Sequence, residues 1–195
     1  MGLSFHYSGS IAKPEYLNEL IHEVRDIVSV LGWEYFVHEN QFPEELFGRP
    51  DYNNSIYGIS FTPPHCETVS VSFLSNGRIS DETHLLFYGK NETQTEQKYL
   101  YMLSVKTQFA GVAVHQFIIE LFRHLNKKYF FDFSLFDEGK YWETGDEEIL
   151  KTTFKKYTDL LDNFSFAFEN FPAQPGEKIG SYLERIFLMI KKSTD

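Results

Sequence analysis

The sequence contains one cysteine, Cys66, among its 195 residues. A single cysteine excludes an intramolecular disulfide and also excludes a zinc site built mainly from thiolates. A chain of this length buries about 70% of the surface that its unfolded form exposes, so it needs neither device to fold. Because a reactive thiol requires an electropositive setting, which nothing local supplies, we predict that Cys66 is an inert, apolar group.

Long apolar runs and a basic leader with an apolar segment are also missing. No apolar run approaches the ~20 residues that span a bilayer. The N-terminal stretch MGLSFHYSGSIAKPEY shows no secretory pattern, and His6 breaks the myristoylation pattern of its Met-Gly start. The sequence therefore predicts a cytoplasmic protein with no membrane partner.

Positive charge is scarce. Lys and Arg number 18 against 28 Asp and Glu, so the net charge at pH 7 is −10. A field of this sign repels phosphate groups, so we expect no nucleic-acid partner and favour a basic protein or a cation. The alternative is that the charge serves only to keep the protein soluble.

Aromatic residues are abundant, with 20 Phe, 12 Tyr and 2 Trp. Each aromatic side chain buries roughly 150–250 Å², which predicts a bulky core. No repeat, low-complexity tract or Gly/Ser linker interrupts the chain, so we predict a single α+β domain over residues 1–195. A homo-oligomer that buries part of the aromatic excess at its interface is an alternative use of these side chains.

Hydrophobic periodicity predicts seven strands and four helices. The strands are predicted at residues 3–7, 33–37, 57–62, 68–73, 85–88, 99–105 and 131–135. The helices follow apolar stripes at residues 17–31, 114–125, 150–161 and 179–190. Residues 164–168 fit either the tail of a helix or a short strand.

This order favours an α+β fold with a mainly antiparallel sheet of about six to seven strands and helices packed on one side. The central strands alternate apolar residues with Thr and Ser, so one sheet face is expected to stay open to water or to a partner. Two loops are also predicted. Residues 39–55 form either a packed Ω-type loop or a lid, and the polar residues 90–98 form an exposed loop.

A metal site is a weak candidate around His65 and Glu67. On a strand these two side chains would share a face, and a distant histidine would complete a two-histidine, one-carboxylate iron site. The available third ligands are His84, His115 and His124. We favour the simpler interpretation, a solvated polar loop, and predict no metal or cofactor.

The densest functional cluster combines acidic and aromatic side chains. Seven acidic residues and one basic residue lie between residues 132 and 148. Thr144 and Glu147 form a capping-box pattern, which explains part of this acidity as helix initiation. The binding residues predicted from the remainder are Asp137, Glu138, Tyr141, Trp142 and Glu143. Tyr141 and Trp142 are expected to hold a cation or a basic side chain by stacking, with the carboxylates adding charge.

Two classes of function remain open. The first is a non-enzymatic protein that engages a basic protein through this cluster, in the manner of an inhibitor or immunity module. The second is a small-ligand or metal-binding enzyme that uses His65, Glu67 and His115 on the open sheet face. The first is favoured because no sequence motif for catalysis competes with it.

Overall fold

The computed structural model describes residues 3–89 and 98–194. Over these residues the protein is α+β, with six α-helices and six strands in two three-stranded antiparallel sheets. The predicted fold class and antiparallel pairing are confirmed, but the strands divide between two sheets where one was expected. The chain forms two compact units, Met1–Leu150 and Lys151–Asp195, and the single-domain assignment stays a prediction.

The first sheet has β1 (Ser4–Ile11) at its centre, between β5 (Leu103–Lys106) and β6 (Phe130–Asp137). Alternate residues of β1 are buried, as period-2 patterning requires. In the register of this sheet, Phe5 pairs with Val105 on one side and with Asp137 on the other.

The second sheet has the order β2 (Glu34–Val37), β3 (Tyr57–Thr62), β4 (Val69–Phe73). Ile59 pairs with Val71, and Ser60 pairs with Ser70, so the apolar and hydroxyl residues occupy opposite faces. Tyr7 connects the two sheets, because its hydroxyl donates to the backbone oxygen of Ser70 (2.8 Å) and accepts from the Ser70 N–H (3.2 Å).

Six helices and a 3-10 turn complete the described part of the chain. Their bounds are α1 Tyr16–Val30, α2 Glu82–Tyr88, α3 Val112–Lys128, α4 Tyr141–Thr144, α5 Glu147–Asn170 and α6 Ile179–Thr194, with a 3-10 turn at Lys98–Tyr101. Helix α1 contacts β2 and β3, and α3 contacts β6 and α4. Within the described residues, no helix combines the length and the apolar character needed to cross a membrane.

One predicted strand is wrong, and another begins later than predicted. Residues 85–88 belong to α2, whose first turn is capped by Asp81, because the Asp81 carboxylate accepts a hydrogen bond from the His84 N–H (2.7 Å). Residues 98–101 form the 3-10 turn, and the strand starts only at Leu103. Periodicity alone cannot distinguish a short apolar helix from a strand. At residues 85–88 the capping carboxylate of Asp81 favours the helix.

The loop at residues 39–55 packs against the second sheet. Phe42 is buried, with its ring centre 5.0 Å from that of Tyr57 and 5.3 Å from that of Phe47. The packed Ω-type alternative therefore describes this segment. Of the exposed loop predicted at residues 90–98, residues 90–97 lie outside the described part of the chain.

The second compact unit consists of most of α5 together with α6. Residues 164–168 belong to the tail of α5, which resolves the alternative between helix and strand. Ala167, Tyr182, Ile186 and Ile190 form its buried cluster. Arg185 makes a paired contact with Glu177, Nη2 to Oε2 at 2.8 Å and Nε to Oε1 at 2.9 Å.

Candidate functional site

Two adjoining hollows lie beside the second sheet, where its hydroxyl face meets α2. Their volumes are about 690 Å³ and about 530 Å³, and Phe36, His38 and Glu82 line both. Half of the residues that line the first hollow are apolar, namely Phe36, Val37, Ile56, Leu85 and Leu86, and the carboxylates of Glu39 and Glu82 also line it. The second is polar, with His38, Ser60, Glu67, Ser70, Asp81 and His84 among its lining residues. A ligand that fills both would meet an apolar wall and a polar floor.

Ser60, His38 and Glu82 form a connected series across this site. Ser60 Oγ lies 2.9 Å from His38 Nε2, and His38 Nδ1 lies 3.5 Å from Glu82 Oε1. The three residues come from β3, from the segment after β2 and from the first residue of α2. Strand alternation places Ser60 on the face opposite the buried Ile59 and Phe61, while the His38 N–H bond to the Gly58 oxygen (2.9 Å) fixes the imidazole beside it.

Burial determines the charge state of His38. Its side chain is 9% exposed, whereas that of Glu82 is 74% exposed. Loss of solvation lowers the pKa of His38 below its ordinary value, and the negative charges of Glu82 and Asp81 only partly oppose this. His38 is therefore a neutral imidazole at pH 7, with one ring nitrogen able to accept a proton.

Asp81 adds a fixed negative charge to the floor. Its burial opposes ionisation, but hydrogen bonds from the His84 ring (2.8 Å) and backbone N–H outweigh burial and lower the pKa of Asp81. Glu67 also lines the floor, and its Oε2 accepts the Lys106 N–H at 2.8 Å. Among the described residues that line the two hollows there is no Lys or Arg, so the field inside them favours positive charge.

The structure does not bring the weak metal candidates together. His65 is exposed and lies in a turn closed by the Cys66 N–H bond to the Pro63 oxygen (3.1 Å), so His65 and Glu67 do not share a strand. Glu67 lines the second hollow, and His115 is buried in α3. In the part of the chain that the structure describes, no group of three or more His, Cys, Asp or Glu is placed to hold a metal ion.

His115 belongs to a separate, fully buried network. Its Nδ1 lies 2.7 Å from Thr107 Oγ1, and its Nε2 lies 3.1 Å from Asp137 Oδ1. The side chains of His115 and Asp137 are both 0% exposed. A ligand has no access to these groups in this conformation, so the network connects β5, α3 and β6 as a structural element.

The acidic-aromatic cluster is organised around Asp137. The Asp137 carboxylate accepts hydrogen bonds from the N–H groups of Gly139 (2.7 Å), Tyr141 (2.8 Å) and Trp142 (3.0 Å). Its burial opposes ionisation, yet the bond to His115 and those to the backbone outweigh burial and lower the pKa of Asp137. Asp137 and Tyr141 are buried, so these two predicted binding residues shape the segment from inside.

The other three predicted binding residues reach the surface. Glu138 and Trp142 are half-buried and Glu143 is exposed. Glu138 Oε2 accepts the Ser4 N–H (2.8 Å), and Glu143 Oε1 accepts the Asp137 N–H (3.2 Å). Arg123 of α3 lies over the Trp142 ring at 5.8 Å from the ring centre, so an external cation at this ring would compete with a guanidinium of the same chain.

An aspartate cap takes the place of the capping box predicted at Thr144 and Glu147. Asp146 Oδ1 accepts the N–H groups of Glu148 (2.8 Å) and Ile149 (3.2 Å), so Asp146 caps α5. Thr144 Oγ1 instead donates to the Lys140 oxygen at 2.6 Å and accepts the Asp146 N–H at 3.1 Å. Both residue types are favourable caps, and the turn at Gly145, with φ of 66°, decides which of them meets the helix.

Comparisons with known proteins find no matching family model, no matching curated protein and no matching solved structure. The site therefore rests on its own geometry. Sequence reasoning missed four of its residues, His38, Ser60, Asp81 and Glu82, and it named His84 only as a possible third metal ligand. The alternation of β3 and β4 carried a signal for Ser60, but nothing in the local sequence connects it with His38, which lies 22 positions away.

Proposed function

We propose that the protein binds a small ligand that combines a positively charged group with an apolar part, and that the two hollows are its site. The observation that carries this proposal is the distribution of their lining. Carboxylates of Glu67, Asp81 and Glu82 line the polar hollow, and the adjoining one combines five apolar side chains with the carboxylates of Glu39 and Glu82. Ligand sites of this volume commonly combine an apolar wall with a few polar groups that fix orientation.

Exposed apolar surface at the rim supports the same proposal. Phe36 is 62% exposed and Leu86 is 75% exposed, and both line the first hollow. Covering them with a ligand would remove apolar surface from water, at roughly 25 cal/mol per Å². The hydroxyl face that was predicted to stay open is largely covered, since Ser60, Ser70 and Ser72 are at most 8% exposed. The expectations of helices packed on one side and of a cytoplasmic location belong to this proposal.

Three probes with the same apolar chain test the charge preference: octylammonium, octanol and octanoate. Each is titrated into ¹⁵N-labelled protein, and backbone amide shifts are followed by NMR. We expect octylammonium to bind most tightly and octanoate most weakly, with the largest shifts at His38, Ser60 and Thr83. Equal affinity for octylammonium and octanoate, or shifts centred away from the hollows, would contradict the proposal.

Glu82→Gln sharpens this test, because Glu82 is 74% exposed and its replacement leaves the core unchanged. The variant should bind octylammonium about fivefold more weakly, since unit charges about 4 Å apart in water interact by about 1 kcal/mol. Asp26→Asn is the matched control, since Asp26 is a 72% exposed carboxylate on α1 that does not line either hollow. Its affinity for octylammonium should equal that of the unaltered protein.

The acidic-aromatic surface formed by Glu138, Trp142 and Glu143 gives a second candidate function, the capture of a basic protein. The observation that favours it is the exposure of Glu143 beside the half-buried Trp142 and Glu138, in a chain of net charge −10. A synthetic oligoarginine peptide is a suitable probe of this surface. We expect salt-sensitive binding that the combined change Glu138→Gln, Trp142→Phe and Glu143→Gln weakens, while Asp26→Asn with Glu34→Gln does not. Equal loss in both variants would show a response to net charge alone.

A further inference from the structure

The hydroxyl of Ser60, the imidazole of His38 and the carboxylate of Glu82 lie one after another along the polar hollow. Ser60 Oγ is 2.9 Å from Nε2 of His38, and Nδ1 of the same ring is 3.5 Å from Glu82 Oε1. This is the order in which a nucleophile, a general base and an orienting carboxylate are connected in acyl-transfer enzymes of several unrelated folds. Ser60 is buried, at 8% exposure, and it is one of the residues that line the polar hollow.

We infer that Ser60 is a nucleophile that accepts the acyl group of a small carboxylic ester bound in the hollows, with His38 as its base and Glu82 as the residue that positions His38. This inference rests on the ligand-binding role proposed above. Because carboxylates line the polar hollow, the ester is expected to be neutral or positively charged. Its acyl chain would lie along Phe36 and Leu86 in the apolar hollow.

The chemical step balances with groups of the chain and water alone. The Ser60 oxygen bonds to the ester carbonyl carbon while His38 Nε2 takes the hydroxyl proton. The carbon–oxygen bond to the leaving alcohol then breaks, and the alcohol departs with the proton that His38 held. Water attacks the acyl-serine by the same route in reverse, which releases the carboxylic acid and restores the Ser60 hydroxyl.

The surroundings of His38 favour the tautomer that this step needs. With its proton on Nδ1, which lies 3.5 Å from Glu82 Oε1, the His38 ring has its Nε2 lone pair available to Ser60 Oγ. Ser70, paired with Ser60 across the two strands, has its Oγ 3.4 Å from Ser60 Oγ.

A fluorophosphonate ester tests the nucleophile without knowledge of the natural substrate, since it phosphonylates an activated serine with loss of fluoride. Intact-mass and peptide mapping should find one adduct, on Ser60. Ser60→Ala should abolish it, and His38→Gln should slow labelling by at least about 100-fold. Glu82→Gln, at an exposed position, should slow it about tenfold. Ser134→Ala, which removes an exposed serine of β6 outside the hollows, is the control and should label at the rate of the unaltered protein.

The same test can be made with an ester substrate, p-nitrophenyl butyrate. We expect a burst of nitrophenol that is stoichiometric with the protein and absent in Ser60→Ala. The labelling rate should reach half of its plateau below pH 6.5, because burial lowers the pKa of His38 from that ordinary value in spite of the facing charges of Glu82 and Asp81. A rate that still rises through pH 9 would show that no neutral imidazole assists Ser60. Thermal melting of each variant separates lost chemistry from lost folding.

Two results overturn the inference: no adduct on Ser60, or Ser60 labelling that His38→Gln and Glu82→Gln leave unchanged while both variants melt normally. If octylammonium still binds in either case, only the nucleophile is wrong and the ligand site stands. If neither the adduct nor octylammonium binding is found, the hollows themselves are not the site.

Discussion

The guanidinium of Arg123 lies 5.2 Å from the ring centre of Tyr141 and 5.8 Å from that of Trp142. Arg123 Nη2 also donates to the backbone oxygens of both aromatic residues, at 2.7 Å and 2.9 Å. The aromatic residues of the acidic segment thus hold a cation, and that cation belongs to α3 of the same chain. This relationship connects α3 with the segment that follows β6.

Arg123→Met should lower the free energy of unfolding by about 1–3 kcal/mol, the usual effect of losing hydrogen bonds to a charged donor. Methionine retains the aliphatic packing of the arginine but cannot donate to the Tyr141 and Trp142 oxygens. Urea denaturation followed by circular dichroism measures the change. Arg25→Met on α1 removes a guanidinium whose partners are exposed, His22 and Asp26, and should cost less than about 0.5 kcal/mol. Equal losses of unfolding free energy in the two variants would mean that the hydrogen bonds of Arg123 to the Tyr141 and Trp142 oxygens contribute nothing specific.

Asp137→Asn should destabilise the protein by about 3 kcal/mol or more, because an amide group would face the N–H donors that the carboxylate now accepts. Those donors are Gly139, Tyr141 and Trp142, and His115 Nε2 also lies beside the carboxylate. Asp146→Asn is a matched change nine residues away. Asp146 is an exposed helix cap and asparagine caps as well as aspartate, so its unfolding free energy should change by less than about 0.5 kcal/mol. If Asp137→Asn proved as mild as Asp146→Asn, the buried network would not stabilise the fold.

The contrast between Asp137 and Asp146 shows where sequence reasoning succeeds and where it stops. Strand alternation predicted β1, β3, β4 and β6, because the alternation of apolar and polar residues reflects burial of one face of each strand. An acidic run carries no such pattern, so a carboxylate buried by three backbone N–H groups looks the same in sequence as an exposed helix cap. Only the fold of the segment separates the two.

The candidate site was hidden for a related reason. Ser60 was predictable as a member of a hydroxyl face, since Ser70 and Ser72 repeat its alternation on the neighbouring strand. Its contact with His38 depends on the register of β2 against β3, in which Val37 pairs with Ile59. That register is a long-range property, and no local periodicity specifies it.

Gly58→Ala should disturb the strand that carries Ser60. The Gly58 backbone has φ of +128°, and an added Cβ would lie 2.5 Å from the Val71 oxygen and 2.9 Å from Ser72 Cα. Because both obstacles are backbone atoms of β4, the strands must separate, and we expect a loss of about 2 kcal/mol or more. Gly32→Ala is the control, since Gly32 has φ of +67° but nothing within 4 Å of its added Cβ, and it should cost about 1 kcal/mol. Comparable melting temperatures for the two variants would contradict the predicted steric conflict.

Cys66 should react slowly with thiol reagents. Burial raises the pKa of Cys66 to about 12 from an ordinary 9.0, and the nearby Glu67 charge adds to this. The thiolate is the reactive form, so at pH 8 its population should be lower than that of a free cysteine by a factor of about 100 to 1000. Alkylation by iodoacetamide, followed by mass spectrometry and compared with free cysteine and with urea-unfolded protein, measures this. Rapid alkylation of the folded protein would contradict an inert thiol.

Glu23 on α1 should make the fold sensitive to acid. Its carboxylate accepts hydrogen bonds from Lys128 Nζ at 2.9 Å and from His124 and Tyr129, which connects α1 with the end of α3. Burial opposes ionisation of Glu23, but these bonds outweigh it and lower its pKa to about 2 from an ordinary 4.5. Between those two pH values the unfolded chain binds a proton that the folded chain does not, so the free energy of unfolding falls as the pH falls.

Glu23→Gln removes this contribution, and the sign of the effect can be tested with one control. At pH 7 the variant should be less stable by about 1 kcal/mol, a figure that allows for solvent screening of a partly exposed group. As the pH falls from about 5 to about 2, the difference between variant and unaltered protein should shrink toward zero, because Glu23 becomes protonated in both states. Asp26→Asn, at an exposed carboxylate three residues along α1, should follow the unaltered protein throughout. A stability difference for Glu23→Gln that persisted unchanged to pH 2 would show that its carboxylate stabilises the helix pair by packing and not by charge.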